Sequence, residues 1–184
     1  MRPTQFFVTV FFLLSIFSAS AQVWKSKKEQ SKISFFSETP IENIQAESAN
    51  VISLIKGDSV IFNVRNTSFI FEKSLMQEHF NENYMESSKY PVSSLKGKIN
   101  EKIDLTKNGT YSVTCTAALN MHGVTKNYVF KGVMSVKGEE VHLKSDFDVK
   151  LVDHNIDRPQ AVIKNLAEVI RVKVDVVYQA FKKS

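Results

Sequence analysis

The chain has 184 residues, 43% hydrophobic and 11% aromatic, with only 6 Gly and 4 Pro, too apolar for a disordered polymer and too short for two ordinary domains. Its formal charge of +5 comes from 24 Lys+Arg against 19 Asp+Glu, scattered without a basic run, so a nucleic-acid partner is not expected. A single cysteine excludes an internal disulfide framework and a Cys-rich zinc site, and leaves stability to a packed core.

Residues 1–21 read as a secretory signal peptide. Arg2 supplies the early positive charge, Phe6 to Phe17 form an apolar run, and Ala19-Ser20-Ala21 puts small residues where a signal peptidase cuts, between Ala21 and Gln22. The run falls short of the roughly 20 residues that span a bilayer, so no stable membrane insertion is expected. No cysteine follows the cut to carry a lipid anchor. The expected mature domain, residues 22–184, is periplasmic or secreted. Its lone Cys115 suits a buried thiol better than a reactive one.

Short strand candidates then follow one another: Ser31 to Ser37, Ile41 to Ala46, Val51 to Ile55, Ser59 to Arg65 and Ser68 to Glu72. A helix interrupts them. Ser74, with Gln77 three residues on, has the form of a capping box, after which Leu75, Met76, His79, Phe80 and Tyr84 share one face. Strands resume at Val92 to Leu105, Thr110 to Asn120 and Thr125 to Val136. From Val141 to Leu151 apolar and polar residues alternate with period two, putting Val141, Leu143, Phe147, Val149 and Leu151 on one face. Pro159 to Leu166 is expected to form a helical turn, and Glu168 to Phe181 repeats the alternation with Ile170, Val172, Val174 and Val176.

Lys56-Gly57-Asp58, Lys107-Asn108-Gly109 and Lys137-Gly138-Glu139 read as hairpin connections. The order is up-and-down with no βαβ unit, so the chain is all-β and antiparallel. A barrel of about eight strands with one short helix inserted is preferred to a sandwich because several strands are long.

Nothing in the sequence is an enzyme signature. No Gly-x-Ser-x-Gly elbow, Cys-x-x-Cys, phosphate-binding Gly-rich loop or His-Glu-x-x-His occurs. His79, His122 and His154 fall in a helix, a turn and a loop, and are read as structural; a metal or hydrolytic centre would need all three, or two of them with Glu82 or Asp153, to converge around an opening. His142 lies on a solvated face. Glu78, Glu82 and Glu86 recur at spacing four, which more often marks a wet helix face than a carboxylate cluster. Asn66-Thr67-Ser68 and Asn108-Gly109-Thr110 match the glycan-acceptor pattern, weakly. No catalytic residue, metal or cofactor is therefore assigned.

The block from Leu75 to Ser87, Leu-Met-Gln-Glu-His-Phe-Asn-Glu-Asn-Tyr-Met-Glu-Ser, followed by Lys89-Tyr90-Pro91 and Lys96-Gly97-Lys98-Ile99, resembles the central signature of the YceI-like family in its Bacteroidetes form. Leu119 to Lys126, Phe147 to His154 with Pro159, and Val172 to Val176 resemble its later segments. The departures are Leu95, where the family often has Phe, and Ala117-Ala118, where many members carry a Gly. The resemblance implies an exported, lipocalin-like antiparallel barrel whose apolar interior holds a long isoprenoid or similar amphiphilic lipid without turnover. By alternation the interior would be lined by Phe62 and Val64, Phe69 and Phe71, Val113 and Leu119, Leu143, Phe147, Val149 and Leu151, and Ile170, Val172 and Val174. Alternation alone cannot tell a hollow barrel from a filled one, so an interaction or stress-response module with a solid interior is the rival. The Arg65-Asn66-Thr67 stretch can reset the face that carries Phe69 and Phe71. Pairing into a homodimer through the helix face is left open.

Overall fold

The computed structural model describes residues 22–158 and 165–181. The signal-peptide reading, and all but the last two residues of the expected turn from Pro159 to Leu166, lie outside the described residues.

Eleven strands form one sheet: β1 (Val23–Ser26), β2 (Lys32–Ser37), β3 (Ile44–Ser48), β4 (Val51–Lys56), β5 (Ser59–Arg65), β6 (Ile70–Phe71), β7 (Val92–Ile99), β8 (Gly109–Met121), β9 (Val124–Lys137), β10 (Glu140–Lys150) and β11 (Val169–Ala180). Every pairing is antiparallel. The ring runs β1-β4-β5-β7-β8-β9-β10-β11 and closes where Trp24 faces Ala180 and Ser26 faces Tyr178. Closure leaves no free edge in the ring. The remaining strands continue three of its staves: β2 pairs with the first half of β11, β3 with β2, and β6 with β3. The architecture is thus a closed eight-stave antiparallel barrel with one short helix.

The three staves from the first half of the chain are broken, and serine hydroxyls stand in for lost ladder bonds. A 3₁₀ turn at Lys28–Gln30 separates β1 from β2, and the Val177 N–H turns to the Ser31 hydroxyl at 3.3 Å. Between β3 and β4 the Asn50 N–H donates to Ser48 Oγ at 3.1 Å. Between β5 and β6, Asn66–Ser68 make a second 3₁₀ turn, and Ser68 Oγ sits 2.7 Å from Ser48 Oγ. Such breaks bend a strand sharply, as a small closed barrel requires.

Several expected boundaries shift for local reasons. Val23–Ser26 was absent from the predicted strands, yet Trp24 is buried there. The strand expected from Ile41 begins only at Ile44, because the Thr39 hydroxyl holds the Glu42 N–H and carbonyl in a turn. The strand expected through Leu105 stops at Ile99; beyond it Asp104 captures the Thr106 N–H, and Ile103 and Leu105 pack against one end of the core. Their alternation reflects that plug, not a ladder. The stretch expected as a strand from Ser68 to Glu72 keeps only Ile70–Phe71.

The helix α1 (Ser74–His79) widens into a π turn over Phe80–Tyr84. Ser74 is its first residue, not its cap. Lys73 holds that position without a side-chain bond, and Gln77 Oε1 instead accepts the Phe71 N–H at 3.3 Å. Met76 and Phe80 pack inward while Leu75 and His79 stay exposed. No helix among the described residues is long and apolar enough to cross a membrane.

Candidate functional site: an apolar cavity under the helix

Inward side chains do two different things along the barrel axis. At the end carrying the β4–β5 and β9–β10 turns, Ile55, Met134, Val141, Val176 and Tyr178 are completely buried, and the Tyr178 hydroxyl meets Ser53 Oγ at 2.7 Å. Toward the helix the inward side chains draw apart around a cavity of about 520 Å³. Ile55 and Met134 form part of its floor.

Every residue expected from alternation to line the interior lines this cavity. Phe62 and Val64 come from β5, Val113 and Leu119 from β8, Leu143, Phe147 and Val149 from β10 with Leu151 just beyond, and Ile170, Val172 and Val174 from β11. Phe69 and Phe71 face inward as well, because the 3₁₀ turn at Asn66–Ser68 shifts the register that Val64 left. A barrel filled by its own side chains would leave no such space.

The list drawn from sequence omitted Phe35, Phe80, Met85, Leu95, Phe130 and Met134, which also line the cavity. Phe130 and Met134 sit on an inward alternation visible in β9, and Phe35 on one in β2, so the signal was present. Phe80 depends on where the helix docks. Its ring stacks on Phe35 at 5.5 Å, and Phe69 and Phe71 close in at 5.6 and 5.1 Å, forming a four-ring cluster beneath the helix. Leu95 lies on β7 two residues before Gly97, where a Cβ would collide with the Ala117 Cβ of β8.

Asn66 is buried, so it is no glycan acceptor in the fold: its Nδ2 donates to the Tyr90 carbonyl at 2.6 Å and its Oδ1 accepts from Ser93 at 2.8 Å. No buried side-chain nitrogen or oxygen among the described residues lacks a hydrogen-bond partner. Cys115 lines the cavity, and burial, aided by the Glu101 charge, pushes its thiol up to about 11. Charge gathers at the mouth, where Lys73 pairs with Glu42 at 2.5 Å beside His79.

Two of the three histidines come together at the rim. His154 is fully buried; its Nδ1 donates to the Val124 carbonyl at 3.1 Å and its Nε2 accepts from the Tyr128 hydroxyl at 3.0 Å. Burial holds its pKa below the ordinary 6.5. His122 places Nδ1 3.1 Å from the His154 carbonyl and Nε2 2.8 Å from Glu86 Oε2. Among the described residues, Glu86, His122 and Asn155 are the non-glycine residues with positive φ, at 42°, 51° and 54°, so backbone strain concentrates where three loops are pinned at this rim. Both rings are occupied in holding loops. His79 stands apart at the mouth and Glu82 is exposed. No group of three or more His, Cys, Asp and Glu among the described residues is placed to hold a metal. His142, expected to be solvated, is half exposed and pairs with Asp175.

The ring also has a seam. The β9–β10 ladder ends at Gly132 opposite Ser145, whereas β8–β9 continues to Met121 opposite Val124 and β10–β11 to Lys150 opposite Val169. Above that point Ser145 Oγ donates to the Lys131 carbonyl at 2.6 Å, and Phe130 and Phe147 close the gap edge to face at 4.5 Å.

A closed antiparallel barrel, solid at one end and hollow and apolar at the other, has the form of a container for an apolar molecule. The YceI-like domain matches residues 15–178, and the chain belongs to that family. Solved structures agree on the fold. A polyisoprenoid binding domain from Saccharophagus degradans, implicated in plant cell wall breakdown, aligns with TM-score 0.74 and 12% identity over 86% of this chain and 98% of its own. BcnA from Burkholderia cenocepacia aligns with TM-score 0.71 and 14% identity over 83% and 98%. A Campylobacter jejuni YCEI protein gives 0.58 and 14% over 99% and 94%. Among curated protein sequences none matches this chain significantly.

Proposed function

We propose that this protein is an exported carrier that holds the tail of a polyisoprenoid or similar long-chain amphiphilic lipid in its barrel and performs no turnover. The observation that carries this reading is the cavity of about 520 Å³, apolar along its wall and open beneath the helix. The polyisoprenoid binding domain with the same fold supports it. Residues 1–21 would be removed on export, leaving residues 22–184.

The size of the space suggests the size of the tail. A dry apolar cavity of about 150 Å³ accepts benzene, or about 25 Å³ per carbon. At that density the interior holds about 20 carbons, four isoprene units. Each five-carbon unit contributes about 4 kcal/mol gross, offset by the freedom the chain gives up. The wall is apolar and every buried side-chain nitrogen and oxygen among the described residues is already hydrogen-bonded, so a headgroup would stay at the mouth near Glu42, Lys73 and His79. The residues that alternation assigned to the interior would contact the tail.

Organic extraction of the purified protein followed by mass spectrometry tests the reading, together with titration of geranylgeraniol and geraniol. A co-purifying long-chain lipid, or saturable binding of the twenty-carbon alcohol at least tenfold tighter than the ten-carbon one, is expected. An empty barrel with no saturable binding of either would overturn it.

A further inference from the structure

The outer surface of the barrel is electrically lopsided. Six strands contiguous in the sheet, β1, β4, β5, β7, β8 and β9, carry Lys25, Lys56, Arg65, Lys96, Lys98, Lys131 and Lys137 at outward register positions and no acidic residue. The neighbouring β10 and β11 balance Lys144, Lys150, Arg171 and Lys173 against Glu140, Asp146, Asp148 and Asp175, and Arg171 lies 3.7 Å from Asp148. Acids also stand in its turns: Asp58, 3.7 Å from Lys98, Glu101, held by the Thr114 N–H at 2.7 Å, and Asp104, 3.4 Å from Lys107. The wall remains strongly basic.

The same wall displays branched aliphatic side chains to solvent. Ile52 is 55% exposed, Ile61 38%, Val92 41%, Val129 64% and Val133 41%. Register interleaves them with the lysines. Lys25, Leu54, Ile61 and Lys96 face one another in a row across β1, β4, β5 and β7, and along β9 Lys131 stands between Val129 and Val133. The aromatic residues of these strands, Trp24, Phe62, Tyr111, Tyr128 and Phe130, occupy inward register positions, so the wall has no ring on which a base could stack.

We propose that this wall docks on the surface of an anionic lipid bilayer, the lysines meeting the headgroup charge and the aliphatics entering the interface. Charge complementarity argues for that partner: basic side chains at a membrane surface bind anionic lipid additively, and apolar side chains between them add area. Continuity with the cavity argues for it too. The wall ends on β9 at the seam closed by Phe130 and Phe147, so docking there sets the stretch of β9 and β10 beyond the end of their ladder next to the lipid. This inference rests on the reading of the barrel as a lipid carrier, and names the surface that the cargo would leave or join.

Residues 22–184 are mixed with vesicles of phosphatidylcholine alone, or with about one-third phosphatidylglycerol, and bound protein is measured by flotation at low and high salt. Binding is expected to the anionic vesicles only and to fall as salt rises. Lys25→Gln with Lys96→Gln should weaken it about 25-fold, fivefold for each charge removed. Ile61→Ser should weaken it further, and Lys173→Gln on β11 should leave it unchanged. Equal partition to neutral vesicles, an effect of Lys173→Gln as large as that of Lys96→Gln, or tighter binding to a DNA oligonucleotide that vesicles cannot displace would overturn the proposal. Geranylgeraniol titration of the same variants keeps the two readings apart. Retention of the alcohol without vesicle binding sinks only the docking surface, whereas vesicle binding without retention sinks the carrier.

Discussion

The two ends of the barrel are built from the same alternation and come out differently. At the closed end β8–β9 and β9–β10 are fully laddered, Ile103 and Leu105 of the β7–β8 loop pack against the core, and the inward residues Val141, Val176, Met134 and Tyr178 are completely buried. At the other end the staves β1–β2, β3–β4 and β5–β6 bend at serine-rich breaks, the β9–β10 ladder stops early, and the mouth is roofed by a short helix through the stacked Phe35 and Phe80. The difference teaches that inward polarity sets which side chains face the axis, while strand bending and divergence set whether those side chains meet. A hollow interior is thus a property of the backbone path, since Phe62 and Leu143 are no smaller than the residues that pack solidly below them.

The sharpest break of that comparison is Met134→Ala. At the fully packed floor it should cost about 2–5 kcal/mol in chemical denaturation, because the surroundings cannot collapse around the lost side chain. A cost under 1 kcal/mol would mean that the closed end is not solid. The next effect is chemical. With its thiol raised by burial from 9.0 to about 11, Cys115 should present about a hundredfold less thiolate than an open cysteine at neutral pH. Its alkylation by a maleimide should be slowed accordingly and slow again when geranylgeraniol is bound; labelling at the rate of free cysteine would show the hollow half open to water.

Val172→Trp sharpens the comparison from the other side. It adds bulk to the hollow half, where space exists, so stability should change by less than about 1.5 kcal/mol while prenyl affinity falls at least tenfold. Unfolding without any change in affinity would place the bound chain elsewhere. The smallest effect concerns the rim. His154 is neutral in the fold with its pKa held down by burial, so its contribution to stability is complete above the ordinary 6.5 and drains away as pH falls below it. Denaturation midpoints should therefore decline toward mildly acidic pH in the wild type, and less so in His154→Gln. Identical slopes in the two proteins would remove His154 as the cause.

Much of this was legible without coordinates. The hairpin turns at Gly57 and Gly138 lie where left-handed φ of +60° and +61° is needed, and the alternation of β10 and β11 named its inward residues correctly. What escaped has a common character. Trp24 comes from a four-residue strand, and Phe80 from the π turn of a helix whose landing site is set by Phe69 and Phe71. The pairing of His122 with Glu86 and the His154 carbonyl joins three loops distant in the chain, and no spacing rule announces it.

By itself the sequence determined which side chains turn inward, that the strands run up and down, and where the hairpins fold, because each depends on neighbours two to four residues away. Only the tertiary structure decided that the barrel is solid below and hollow above, and that one outer wall is basic. Volume and surface potential are sums over strands far apart in the chain, and they take a value only once the ring has closed.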